Sequence, residues 1–166
     1  MRKTVILSSV FFSTVAASLS LASLTDSVQA SPHPVTLNSL ELHASAAGNV
    51  GGRLAPQLQG KPVVVDIYAS WCPACRNIAP TLSQLKEQYG EQVHFIVFDV
   101  SDQTKAKASE AKAKELGLGS FFAAHKSQTG MVAIIDPATG DILAQHRNNT
   151  NLSAYTSVLN SAISSP

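Results

Sequence analysis

Val65-Asp66-Ile67-Tyr68-Ala69-Ser70-Trp71-Cys72-Pro73-Ala74-Cys75-Arg76-Asn77-Ile78-Ala79-Pro80 joins a β-branched apolar run to a helical repeat, with both cysteines of the chain at the junction. Upstream, Val63-Val64-Val65-Asp66-Ile67-Tyr68 lies between Pro62 and Ser70 and reads as a buried central strand, in which Asp66 is the anomaly. Downstream, Ile78, Leu82, Leu85 and Tyr89 recur at i, i+4, i+7 and i+11 and form one apolar stripe on a helix that stops at Gly90. Pro80 inside that helix predicts a kink.

Two cysteines separated by two residues at a helix start can close one short disulfide. The free N–H groups and positive dipole of the helix N-terminus favour a thiolate at the first sulfur. Such sites lower a thiol from about 8.5 into a range of roughly 3.5 to 7.5, which makes Cys72 the exposed nucleophile and Cys75 its resolving partner. Pro73 suits the first helical turn, where its missing N–H costs nothing. A static bridge over so short a loop would remove little chain entropy. A metal site would need more than these two ligands, and His94, His125 and His146 show no paired spacing to complete one.

The remaining elements follow the same reasoning. Residues 93–98 form a second apolar run, ended by Asp99, Ser101 and Asp102. Residues 103–116, rich in Ala, Lys and Glu, predict a helix with a thin apolar face of Ala106, Ala113 and Leu116, stopped by Gly117. The segment through Phe121, Phe122, His125 and Lys126 reads as a loop. Residues 131–135 and 141–146 flank Asp136-Pro137-Ala138-Thr139-Gly140 and predict a hairpin. Leu152, Tyr155, Leu159 and Ile163 mark a last helix. The order β-α-β-α-β-β-α predicts an α/β fold with a central mixed sheet of about four strands flanked by helices, containing a parallel pair and an antiparallel hairpin.

The first 60 residues stand apart. Arg2 and Lys3, an uncharged run over 5–24, and Val28-Gln29-Ala30 read as a secretory leader cut after Ala30, with an uncleaved anchor as the rival reading. Residues 31–60, rich in Ala, Gly, Ser and Pro, read as a loose extension, which leaves 61–166 as the domain. The whole chain of 166 residues carries 12 basic and 11 acidic side chains. Losing Arg2, Lys3 and Asp26 leaves 10 of each, a balance that steers toward neither nucleic acid nor anionic lipid. The remaining 136 residues have room for one core that needs no disulfide staple.

From residue 62 to 163 the chain resembles the thioredoxin-like superfamily, and 65–80 carry the resemblance through a buried acid, Trp-Cys-x-x-Cys, a basic residue and Ile-Ala-Pro. The layout is most similar to exported thioredoxin-like proteins of bacteria, cyanobacteria and plastids. This implies a thioredoxin-like fold and an exported thiol–disulfide oxidoreductase, located in a periplasm or thylakoid lumen. Cys72 would attack, Cys75 would resolve, and Asp66 would move the proton of Cys75. A desolvated carboxyl in an apolar strand suits that last role, because its pKa should rise. Trp71 would shield one side of the site, with Pro73 and Ala74 between the cysteines and Pro80 as the family's helix proline.

Two departures accompany the likeness. The family places a cis-proline just before the third strand, where Gly130 stands here after Thr129. The strand over 93–98 carries no lysine to pair with Asp66. The implied partners are protein disulfides and a thiol electron donor, membrane-bound or soluble, with no cofactor beyond the cysteine pair, no metal and no nucleic acid. Two other functions stay open: a non-catalytic binding or assembly module on the same fold, and a copper chaperone using Cys72 and Cys75 with His125. Asn148-Asn149-Thr150 and Asn151-Leu152-Ser153 match glycosylation sequons, which matter only in a eukaryotic secretory pathway.

Overall fold

The computed structural model describes residues 48–165. The expected leader and the first part of the expected extension, 31–47, lie outside the described residues.

The elements are β1 (Val63–Tyr68), α1 (Pro73–Tyr89), β2 (His94–Asp99), α2 (Gln103–Glu115), α3 (Gly119–His125), β3 (Met131–Ile135), β4 (Ile142–Arg147) and α4 (Leu152–Ser164). All but α3 are expected from the sequence, and they form close to their expected limits. The sheet order is β2-β1-β3-β4, with β1 parallel to β2 and antiparallel to β3, and β3 antiparallel to β4. The mixed α/β sheet expected from the sequence is therefore present. Side chains alternate across it: Val63, Val65 and Ile67 face the layer of α2 and α3, whereas Val64 packs with Ile78, Leu82 and Leu85 of α1 and Tyr155 and Leu159 of α4. Register puts Val97, Asp66, Val132 and His146 in one row across the four strands. The carboxyl of Asp66 thus enters the core on the α1 and α4 side.

Two expectations are corrected. The loose extension does not continue to Gly60: Val50, Leu54 and Leu58 are buried in the core layer of α2 and α3. Residues 48–60 are laced to the rest of the domain by Val50 N–H to Gly140 O (2.9 Å), Leu54 N–H to Pro137 O (3.0 Å) and Ala55 N–H to Leu116 O (3.1 Å). Apart from one 3-10 turn at Pro56–Leu58 the stretch has no regular element, so it carried no periodic signal. The segment read as a loop contains α3, whose start has no side-chain cap and whose length is seven residues. Packing rather than propensity holds it: Phe121 and Phe122 are buried, and Phe122 meets Phe98 edge to face at 5.3 Å.

Candidate active site

The chain leaves β1 through Ala69, Ser70 and Trp71 and enters α1 at Pro73, with Cys72 as the N-cap. Cys72 Sγ accepts the Cys75 backbone N–H at 3.1 Å, so a sulfur does what a serine or aspartate oxygen does at other helix starts. Burial works to raise the Cys72 thiol. Hydrogen bonds from the Cys75 and Thr129 side chains and from the Cys75 and Ala74 backbone outweigh it and hold the thiol below its ordinary value. Cys75 goes the other way: burial, then its thiol's own bond to Cys72, then the nearby Cys72 and Asp66 charges push it up to about 12. Both cysteines are free. Cys72 is nevertheless only 2% exposed, so the expectation of an exposed nucleophile is corrected. Its sulfur is drawn inward by the donors that stabilise it.

Asp66 is 7% exposed, and its Oδ1 has no hydrogen-bond partner. Burial raises its carboxyl from 3.8 to about 6, against the attraction of Lys86. Asp66 and Lys86 line a shared cavity of about 10 Å³ with Val64, Leu82, Phe95, Ile96 and Val97, about the room one water needs. As expected, β2 supplies no lysine; the cation comes instead from α1.

Trp71 is 60% exposed, which excludes a role in the core, and its indole N–H donates to Ser101 O at 3.0 Å. Ser101 Oγ in turn accepts the Ser70 N–H at 2.8 Å and donates to Asp99, which Lys105 pairs at 3.0 Å. The strand-to-helix turn is thereby fixed on its β2 side. On the other side stands Gly130, with φ +78. A Cβ placed on it would lie 2.6 Å from Ala74 Cβ and 3.3 Å from Cys75 N, so the turn before β3 touches the Cys-x-x-Cys segment directly. Gly130 N–H donates to Ile67 O at 2.8 Å, a bond proline could not make, and no cis peptide occurs among the described residues.

Residues 54–125 match the thioredoxin family model. Over that stretch the chain is similar to thioredoxins and has their fold. One similar protein is the chloroplastic thioredoxin-like protein HCF164 of Arabidopsis thaliana, 46% identical over 46 residues, which cover 28% of this chain and 17% of that one. Another is the thiol:disulfide interchange protein TxlA homolog of Synechocystis sp., 42% identical over 43 residues, 26% of this chain and 24% of the relative. Thioredoxin Asp f 28 of Aspergillus fumigatus is 42% identical over 55 residues, 33% of this chain and 49% of its own length. The matches thus span half or less of these relatives.

Within this domain the structure brings Cys72, Cys75, Ala74 and Gly130 together, sets Asp66 behind Cys75, and leaves Trp71 and Pro73 on the exposed rim. His125 ends α3, its ring tilted against that of Phe121 at 4.6 Å between centroids, with its Nδ1 buried and unpartnered. Among the described residues no three His, Cys, Asp or Glu side chains gather as a metal site requires. No helix among them is long and apolar enough to cross a membrane. Thr129 and Lys86 are the site residues that sequence reasoning missed. Thr129 carried one signal, a hydroxyl next to the position of the family proline, whereas Lys86 lies between the apolar stripe positions of α1, where nothing in the sequence sets it apart.

Proposed function

We propose that this protein is an exported thiol–disulfide oxidoreductase that reduces disulfides in other proteins. The Cys72 thiolate attacks one substrate sulfur, and the other leaves as a thiolate and takes a proton. Cys75 then gives its proton to Asp66 and attacks Cys72 Sγ, which releases the second substrate thiolate and closes the Cys72–Cys75 disulfide. Two electrons pass from the cysteine pair to the substrate, and an external thiol donor must return them. No other redox group is required.

The asymmetry of the pair carries this reading: one thiol is lowered at a helix N-cap, and the other is raised to about 12 beside a carboxyl that titrates near 6. A structural disulfide has no use for that difference. Asp66 is suited to the second step, since a carboxyl near 6 is mostly ionised at neutral pH and lies behind the thiol that must lose its proton. Export rests on the composition of residues 1–30, and the reducing direction on the likeness of the layout to exported thioredoxin-like proteins; the same site run backward would oxidise.

Replacing Cys75 by Ser should leave stable mixed disulfides between Cys72 and protein partners. Recovering none under varied redox conditions, while the protein stays folded, would contradict the reading. A redox titration decides direction: a potential near about −270 mV fits a reductant, and one near about −120 mV would make the protein an oxidant.

A further inference from the structure

We propose that Asn148 is a positioning residue for the thiol site, holding the Thr129–Gly130 turn against the Cys-x-x-Cys helix by a clamp that spans the post-β4 loop and α1. The inference rests on the proposed thiol chemistry and names the residue that sets its geometry.

The clamp has five links. Gly130 N–H donates to Ile67 O at 2.8 Å, and the same carbonyl receives the Cys75 thiol at 3.8 Å. Gly130 O accepts the Asn148 N–H at 2.9 Å. The Asn148 side chain accepts from Asn77 Nδ2 at 2.9 Å, which returns the connection to α1 two residues past Cys75. Thr129, buried at 7% exposure beside Gly130, is among the groups that hold the Cys72 thiol below its ordinary value. The contacts therefore close a ring around the cysteine pair.

Asn148 has φ +53 and is the one non-glycine residue at positive φ among the described residues. Such a backbone is strained for a side-chain-bearing residue and persists only where the surroundings fix it. Asparagine tolerates it better than most, and here its amide also reaches Asn77. Gly130 lacks the ring that would set its own φ, and its conformation is instead specified from both neighbours, by Ile67 and by Asn148. The groups facing Cys72 are Cys75 and the Thr129 hydroxyl, with Asp66 acting on Cys75.

Two variants cut the same link from opposite ends. Asn148→Gly keeps the positive φ and the N–H to Gly130 but loses the side-chain bond, and Asn77→Ala removes its donor. Both are followed by Cys72 thiolate absorbance against pH and by the rate of exchange with a small disulfide. Each variant should move the Cys72 titration toward that of an ordinary thiol and slow exchange about threefold to tenfold. The double variant should do no more than either single one. Lowered melting temperatures with an unmoved Cys72 titration would overturn the proposal, as would additive effects. The titration reads the site even if the wild type turned over no protein disulfide, so failure of the clamp and failure of the enzymatic reading remain separable.

Discussion

Asp66 carries the plainest energetic signature at the residue scale. Its carboxyl titrates near 6 in the fold and at 3.8 without it, so folding opposes its ionisation. Its contribution is therefore most favourable below about pH 4, is lost as pH rises from about 4 to about 6, and stays at the lower level above that, whereas Asp99, Glu110 and Asp141, all held below their ordinary values, contribute in the opposite sense at acid pH. Asp66→Asn removes the penalty. At neutral pH the variant should gain up to about 3 kcal/mol in urea unfolding, less whatever its buried amide forfeits, and the gain should vanish near pH 4. The same variant should slow release of substrate from the mixed disulfide, because Cys75 loses its base. Lys86→Met should raise the Asp66 carboxyl further, a change read directly by carboxyl ¹³C shifts against pH. The carboxyl was legible as a lone acid in a β-branched run. Lys86 was not, because eleven positions along a helix separate it from Cys75 and only folding lays it beside β1.

At the scale of elements, the strand-to-helix turn and the turn before β3 make the site together. Gly130→Ala should lose at least about tenfold in exchange rate and about 1–3 kcal/mol of stability, since its Cβ would meet Ala74 and its φ is strained. Gly130→Pro should be no better, although proline is the family residue, because the Ile67 carbonyl loses its donor and φ +78 is closed to the ring. Activity and melting temperature check both. Strands and long helices were readable because burial imposes a period on them: β3 follows its expected limits, and α1 its apolar stripe. The short α3 and the stretch through Val50, Leu54 and Leu58 were not, because their burial is set by partners distant in sequence. Leu54→Ala should cost about 2–5 kcal/mol if that stretch belongs to the core. A loss below about 1 kcal/mol in denaturant unfolding would return it to a loose extension.

For the domain as a whole, the sheet divides the core into two layers and sets the thiol site at the end where β1 passes into α1. The fold class and the cysteine pair were legible in residues 65–80, because a period change and a Cys-x-x-Cys coincide there. The electrostatic tuning was not, since Thr129, Lys86 and Asn148 reach the site from three other places in the chain. The central claim is that the fold makes two neighbouring cysteines chemically unequal. It is tested most directly by alkylating the reduced wild-type protein under native conditions and mapping the modified cysteine by mass spectrometry as pH is varied. Modification of Cys72 near neutral pH, with Cys75 unreactive until strongly alkaline conditions, is the predicted result. Equal modification of both cysteines, or Cys75 reacting first, would contradict it.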